Sequence, residues 1–280
     1  MTPTASGPRP GSTSTTAGGT ASGQPPAHGW SPRLQPRRFY RRAEAGPLPD
    51  GDPHGDPYGG WGVLLDGRPA RTPARQPLRL PTPALAEAVA SEWDAQAEHI
   101  EPDTMPLTRL ANTALERVAA DRAGIVAVLL DHVDGDVLCY RADHPTDLAA
   151  RQMADWQPLL DWADQTLAAR LAITHGIMPI RQPSPAVAAL RTALEDLDDW
   201  TLTGAQGVAA AAGSLVLALA LARGRVDGES CFALSRLDET YQMARWGADT
   251  EATRVREAVR RDILAAEHLV RLSRADHPCT

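Results

Sequence analysis

No lysine occurs in the 280 residues, and all 28 basic side chains are arginine. That absence removes an amine nucleophile for Schiff-base chemistry and the lysine of a phosphate-binding G-x-x-x-x-G-K-[ST] loop. The cysteines, Cys139, Cys231 and Cys279, are three in number and far apart. An odd count without a C-x-x-C pair builds neither a disulfide framework nor a zinc site, and a reducing cytoplasm is the compartment expected. No G-x-G-x-x-G loop, H-E-x-x-H pair or G-x-S-x-G elbow is present, so dinucleotide, zinc-protease and serine-hydrolase readings lack their motifs. With 35 acidic residues and a net charge of -7, no broad footprint for nucleic acid is expected, although a local basic patch remains compatible with it. Apolar residues at 43% supply the core of a soluble globular protein.

Residues 1–35 form a Ser/Thr/Gly/Pro/Ala tract with few large apolar side chains, which reads as a disordered tail. It carries only Arg9 before Gly29, so neither a secretory signal nor a transit peptide is expected. Residues 36–81 read as a small β region, with RRFYRRAEA and WGVLLDGRPARTP separated by a Gly/Pro/Asp loop. Asp66-Gly67 marks a hairpin because both positions tolerate positive φ. Thr82-Pro83 pairs an N-cap with a first helical residue. It opens a helix whose Leu85, Val89 and Trp93 share a stripe facing the core. From there to about residue 275 the apolar period is helical, interrupted by an extended connector at THGIMPIRQPSP. The fold class expected is α+β, a β-rich N-terminal domain followed by a larger all-α domain. The apolar run Ala205–Ala222 is expected to be one buried helix and not a membrane span, since half of it is Ala or Gly and Gln206 and Ser214 interrupt it. Ser214 is expected to be a small residue within helix packing.

Two clusters invite a function. In DHVDGDVL, His132, Asp134 and Asp136 would share one face of an extended piece. That geometry could serve a divalent metal in a small-molecule hydrolase, or be an ordinary turn after a helix. In LSRLDETYQMARWGADTEATR, a single helix would turn Leu234, Leu237, Tyr241 and Met243 inward. Asp238, Glu239, Gln242, Arg245 and Trp246 would then form an outer ridge ending in an indole, a composition suited to a protein contact or to a solvated helix face. Gly247 would end this helix, and Asp249 to Glu251 would place acidic charge at the start of the next.

The ridge belongs to a set of blocks that resemble the assembly-chaperone family escorting the alpha subunit of the catalytic head of F-type ATP synthase in mitochondria and some bacteria. These blocks are RRFY, GWGVLLDGRPARTPARQPLRLPTPALAEAVASEWDAQ, EPDTMPLTRLANTALERV, DVLCYRAD, RQMADWQPLLDWA, HGIMPIRQP, LTGAQGVAAAAGSLVLALALARGRVD and LDETYQMARWGADTEA. The resemblance implies a monomeric, non-enzymatic, cytoplasmic binder of the ATP synthase alpha subunit. It implies no catalytic residue, no cofactor, no metal, no nucleic acid and no integral membrane segment. By the same resemblance Glu239 is carried over as the partner-contacting acid, with Gln242 and Trp246 following it and Asp238 beside it. Arg109, in the LTRLANT block, is either a structural ion pair or a surface contact. The family often places a second acid shortly after the glutamine, whereas Met243, Ala244 and Arg245 stand there in this chain.

Overall fold

The computed structural model describes residues 36–48, 60–176, 178–247 and 249–274. The expected disordered tail and most of the Gly/Pro/Asp loop lie outside these residues. The N-terminal sheet is antiparallel and centred on β2 (Trp61–Leu65), which pairs with β1 (Ala43–Pro47), β3 (Arg68–Pro69) and β4 (Arg79–Leu80). Its hairpin turns at Asp66 and Gly67 with φ of 48° and 80°, the left-handed geometry that the dipeptide forecasts. The Asp66 carboxylate accepts the N–H groups of Arg41 and Arg42, which ties the turn to the chain entering β1.

Thr82 caps α1 (Pro83–Asp94) by accepting the Leu85 N–H at 3.1 Å, and its hydroxyl donates to the Leu272 carbonyl. Leu85 and Val89 are buried and Trp93 is half-buried, packed on the same apolar cluster. The next helix, α2 (Pro106–Thr113), has Met105 at its N-cap position and no side-chain cap there. Glu92 of α1 takes that role from outside, accepting the N–H groups of Leu107 and Thr108 and the Thr108 hydroxyl. A first core thus forms between the sheet, α1 and α2, closed by Trp200 and Leu269 from the helical region.

The second core gathers α3 (Arg122–Asp131), α4 (Thr146–Leu167), α5 (Ser184–Glu195), α6 (Asp199–Ala212), α7 (Leu215–Ala222), α8 (Gly228–Ser235), α9 (Leu237–Trp246) and α10 (Thr250–Ser273). The α+β class expected from the sequence is what the chain adopts, a small strand region before a larger helical one. The connector expected at 174–185 is regular at both ends, β6 (Thr174–His175) lying parallel to β5 (Tyr140–Arg141) and Ser184 and Pro185 opening α5. Helix α10 serves both cores, with Leu269 in the first and Ile263 and Ala266 in the second. It approaches α6 so closely that a Cβ on Gly204 would sit 2.4 Å from Val270 Cγ2.

Ala205–Ala222 is two helices and not the one buried helix expected, and only its second part is buried throughout: before Ser214, Ala210 is exposed and Gln206, Gly207, Ala209 and Ala211 are half-buried. Gly213 takes a φ of 69° at the end of α6, and Ser214 restarts the chain as the N-cap of α7, its hydroxyl accepting the Leu217 N–H. Ser214 is therefore a cap and not a packing residue. All eight residues of α7 are buried, and among the described residues no helix is long and apolar enough to cross a membrane.

Candidate partner-binding face

Helix α9 begins after a break at Arg236, whose φ of -114° and ψ of 24° end the continuity with α8. The single helix expected from Leu234 onward is thus a pair. Only Leu237 and Tyr241 of α9 are buried, with Met243 half-buried. At the far end Gly247, at a φ of 87°, donates its N–H to the Met243 carbonyl, and Asp249 caps α10 by accepting the Ala252 N–H.

The small apolar footprint of α9 is supplemented by polar ties. Asp238 turns inward and accepts a hydrogen bond at 2.8 Å from the amide of Gln152, a buried residue of α4 whose own oxygen accepts the Ala142 N–H. Asp147 accepts the Tyr241 hydroxyl and an Arg245 N–H, each at 2.7 Å, while the Arg245 guanidinium lies 4.6 Å above the Tyr241 ring. The Tyr241 hydrogen bond, and then Arg245, holds the Asp147 carboxyl below its usual range; burial, and then Asp147, raises the Tyr241 phenol.

A depressed carboxylate contributes stability above its unfolded pKa and loses it as pH falls through the folded value. A raised phenol contributes below its unfolded pKa and loses it as pH rises through the folded value. The ordinary values are 3.8 and 10.0. Urea unfolding of the wild type and Tyr241→Phe should therefore differ by a constant amount between about pH 5 and 9 and converge outside that window. A difference that grows toward either extreme would contradict this anchoring.

Glu239, Gln242 and Trp246 face outward, the indole at 75% exposure. Glu239 stands 3.7 Å from Arg236 and 3.6 Å from Arg256, distances that attract without hydrogen bonding. Arg256 is itself fixed, donating to the Thr240 hydroxyl and lying over the Phe232 ring. Two cavities adjoin this stretch. One, about 580 Å³, has Phe232, Leu237 and Arg256 in its lining. The other, about 460 Å³, has Gly207 and Ala211 in its lining and carries both Arg236 and Arg109. Arg109 is exposed, 4.0 Å from Asp103. Of the five carried-over residues the fold thus sets three on one exposed face, links Arg109 to it through the Arg236 cavity, and commits Asp238 to an internal bond. Sequence reasoning missed Asp147, Gln152, Arg236 and Arg256, which hold that face. Gln152 and Asp238 are 86 positions apart, beyond the reach of any local pattern.

The His132, Asp134 and Asp136 triplet does not converge. Two short 3-10 turns, Val133–Gly135 and Val137–Cys139, replace the expected extended piece. His132 Nδ1 meets the Val128 carbonyl, Asp134 accepts the Gln182 N–H, and Asp136 is buried against Ser214. Among the described residues no group of three or more His, Cys, Asp or Glu is placed to hold a metal ion.

Residues 37–164 match the model of the ATP12 chaperone protein family. The mitochondrial protein atp12 of Schizosaccharomyces pombe is 24% identical over 202 residues, spanning 68% of this chain and 69% of that protein. The crystal structure of Atp12 from Paracoccus denitrificans is 43% identical, with a TM-score of 0.76 over 85% of this chain and 99% of its own. The Atu1473 protein of Agrobacterium tumefaciens is 39% identical, with a TM-score of 0.75 over 84% and 85% of the two chains. At that identity and coverage, the chain belongs to the ATP12 chaperone family, the ATP synthase assembly chaperones that its sequence blocks resemble.

Proposed function

We propose that this protein binds the free alpha subunit of the F-type ATP synthase catalytic head and withholds it from misassociation until beta subunits take its place. It does so as a cytoplasmic, monomeric binder without enzymatic activity. The observation that carries this reading is the outward face of α9, where an indole at 75% exposure follows Glu239 and Gln242. An exposed tryptophan leaves a large apolar surface in water, and tryptophan dominates the buried centres of protein contacts. Arg236 and Arg256 flank Glu239 without spending its hydrogen-bonding capacity, so the carboxylate is positioned and still able to accept donors from a client. Two cavities beside the helix offer recesses for apolar side chains, and a polar rim around an apolar centre suits a contact that must later be given up. The test is affinity capture of the tagged protein from its own host, with mass spectrometry of what elutes at moderate salt. Recovery of alpha without beta is the expected result, and a folded bait that retains no synthase subunit would overturn the reading.

A further inference from the structure

The strand region carries an arginine cluster that the α9 face does not use. We propose that the loop joining β3 and β4 is a second docking surface, one that receives an acidic patch on the same client and accelerates encounter; it rests on the client assignment above. Arg68, Arg71 and Arg75 are all exposed. Among the described residues none of them makes an ion pair. Arg117 is likewise exposed and unpaired, and its neighbour Glu116 accepts the Ala74 N–H at 2.7 Å, which staples the loop to the segment after α2.

The loop is built, not slack. Arg71 and Pro77 form a bridge, the Thr72 N–H donates to the Gln76 carbonyl at 2.9 Å, and the Arg75 N–H donates to the Thr72 carbonyl at 2.8 Å. Thr72 is buried beneath it. Arg71 also donates to the Arg75 carbonyl at 2.7 Å, drawing two like-charged residues together. Arg75 has a φ of 65°, a left-handed conformation that glycine adopts at no steric cost and arginine does not. A strained residue that keeps a charged side chain in water points to a use for that side chain.

The kind of partner follows from charge. The chain as a whole carries -7, so an extended polyanion is repelled at long range, while a small acidic patch on a protein matches a cluster of this size. Such rim charges act mainly on association.

The test uses the full chain carrying Arg71→Gln and Arg75→Gly together, with association and dissociation rates measured against isolated alpha subunit. The glycine relieves the left-handed strain, which offsets loss of the Arg71 hydrogen bond to the Arg75 carbonyl, and the variant's urea midpoint is measured beside the wild type so that a binding change is read only from folded protein. At low salt its association rate should fall about five- to tenfold, with dissociation changed less than about twofold. At about 1 M salt the difference should vanish. Trp246→Ala, measured in parallel, should instead raise the dissociation rate.

Unchanged association by a variant, when the wild type binds, overturns this inference and leaves the α9 reading standing. So does self-association of the variant with client binding intact, because the arginines would then be guarding the β3 edge. Arginine-dependent binding to phosphatidylglycerol vesicles or duplex DNA with alpha association unaffected overturns it as well. No binding of alpha by the wild type overturns both readings.

Discussion

Asp136→Ala should lower the unfolding free energy by about 3–5 kcal/mol, because it leaves several buried hydrogen-bond donors without an acceptor at about 1–3 kcal/mol each. Asp136 is 1% exposed and accepts the Leu138 N–H at 3.1 Å, the Ser214 hydroxyl at 3.0 Å and the Val216 N–H at 3.1 Å. Burial pushes its carboxyl upward, against the pull of these donors. Alanine would strand all three donors where water does not reach, each at about 1–3 kcal/mol. Against a domain total of about 5–15 kcal/mol, this is a large fraction. In urea the midpoint should fall with the slope unchanged. Ser214→Ala alone should cost about 1 kcal/mol, and the two losses should not add, because the residues share one hydrogen bond. A loss below about 1 kcal/mol for Asp136→Ala would refute the capping role.

Trp246→Ala should weaken capture of the alpha subunit about 30-fold or more, the equivalent of about 2 kcal/mol at a contact hot spot. Stability should stay within about 0.5 kcal/mol, since the indole is 75% exposed in the uncomplexed chain. That separation of binding from folding distinguishes a contact residue from a core one. Glu239→Lys should also abolish most binding, by placing a third cation beside Arg236 and Arg256. It disturbs the local charge balance as well, so Trp246→Ala is the cleaner variant. Unchanged affinity in a folded Trp246→Ala protein would remove the indole from the contact.

Local chemistry was legible wherever one or two residues decide the backbone. Asp66-Gly67, Thr82-Pro83 and Gly247 take the turn and cap roles expected of them, and Asp249, expected only as acidic charge at a helix start, is the N-cap of α10. The family is legible in the resemblance blocks alone. The division of Ala205–Ala222 was not legible, because a run made mostly of Ala and Leu gives no periodic mark to show where one helix stops. Gly213-Ser214 was the only local hint, and a glycine inside an apolar run serves packing as readily as it serves a turn. The roles of Asp136 and Asp238 were hidden for another reason. Each is decided by a partner far along the chain, Ser214 at 78 positions and Gln152 at 86. Spacing within DHVDGDVL or LDETYQ carries no trace of either.

The way α10 lies across both cores bears on how the chain matures on the ribosome. Synthesis delivers the strand region, α1 and α2 first, and then the wholly apolar α7, before the residues that cover them exist. Leu269 completes the first core, Ile263 and Ala266 the second, and Val270 fills the space beside Gly204. A nascent chain stalled before residue 250 would present both cores open to solvent. A member of an assembly-chaperone family thus has its own interval of exposure, lasting until α10 clears the exit tunnel.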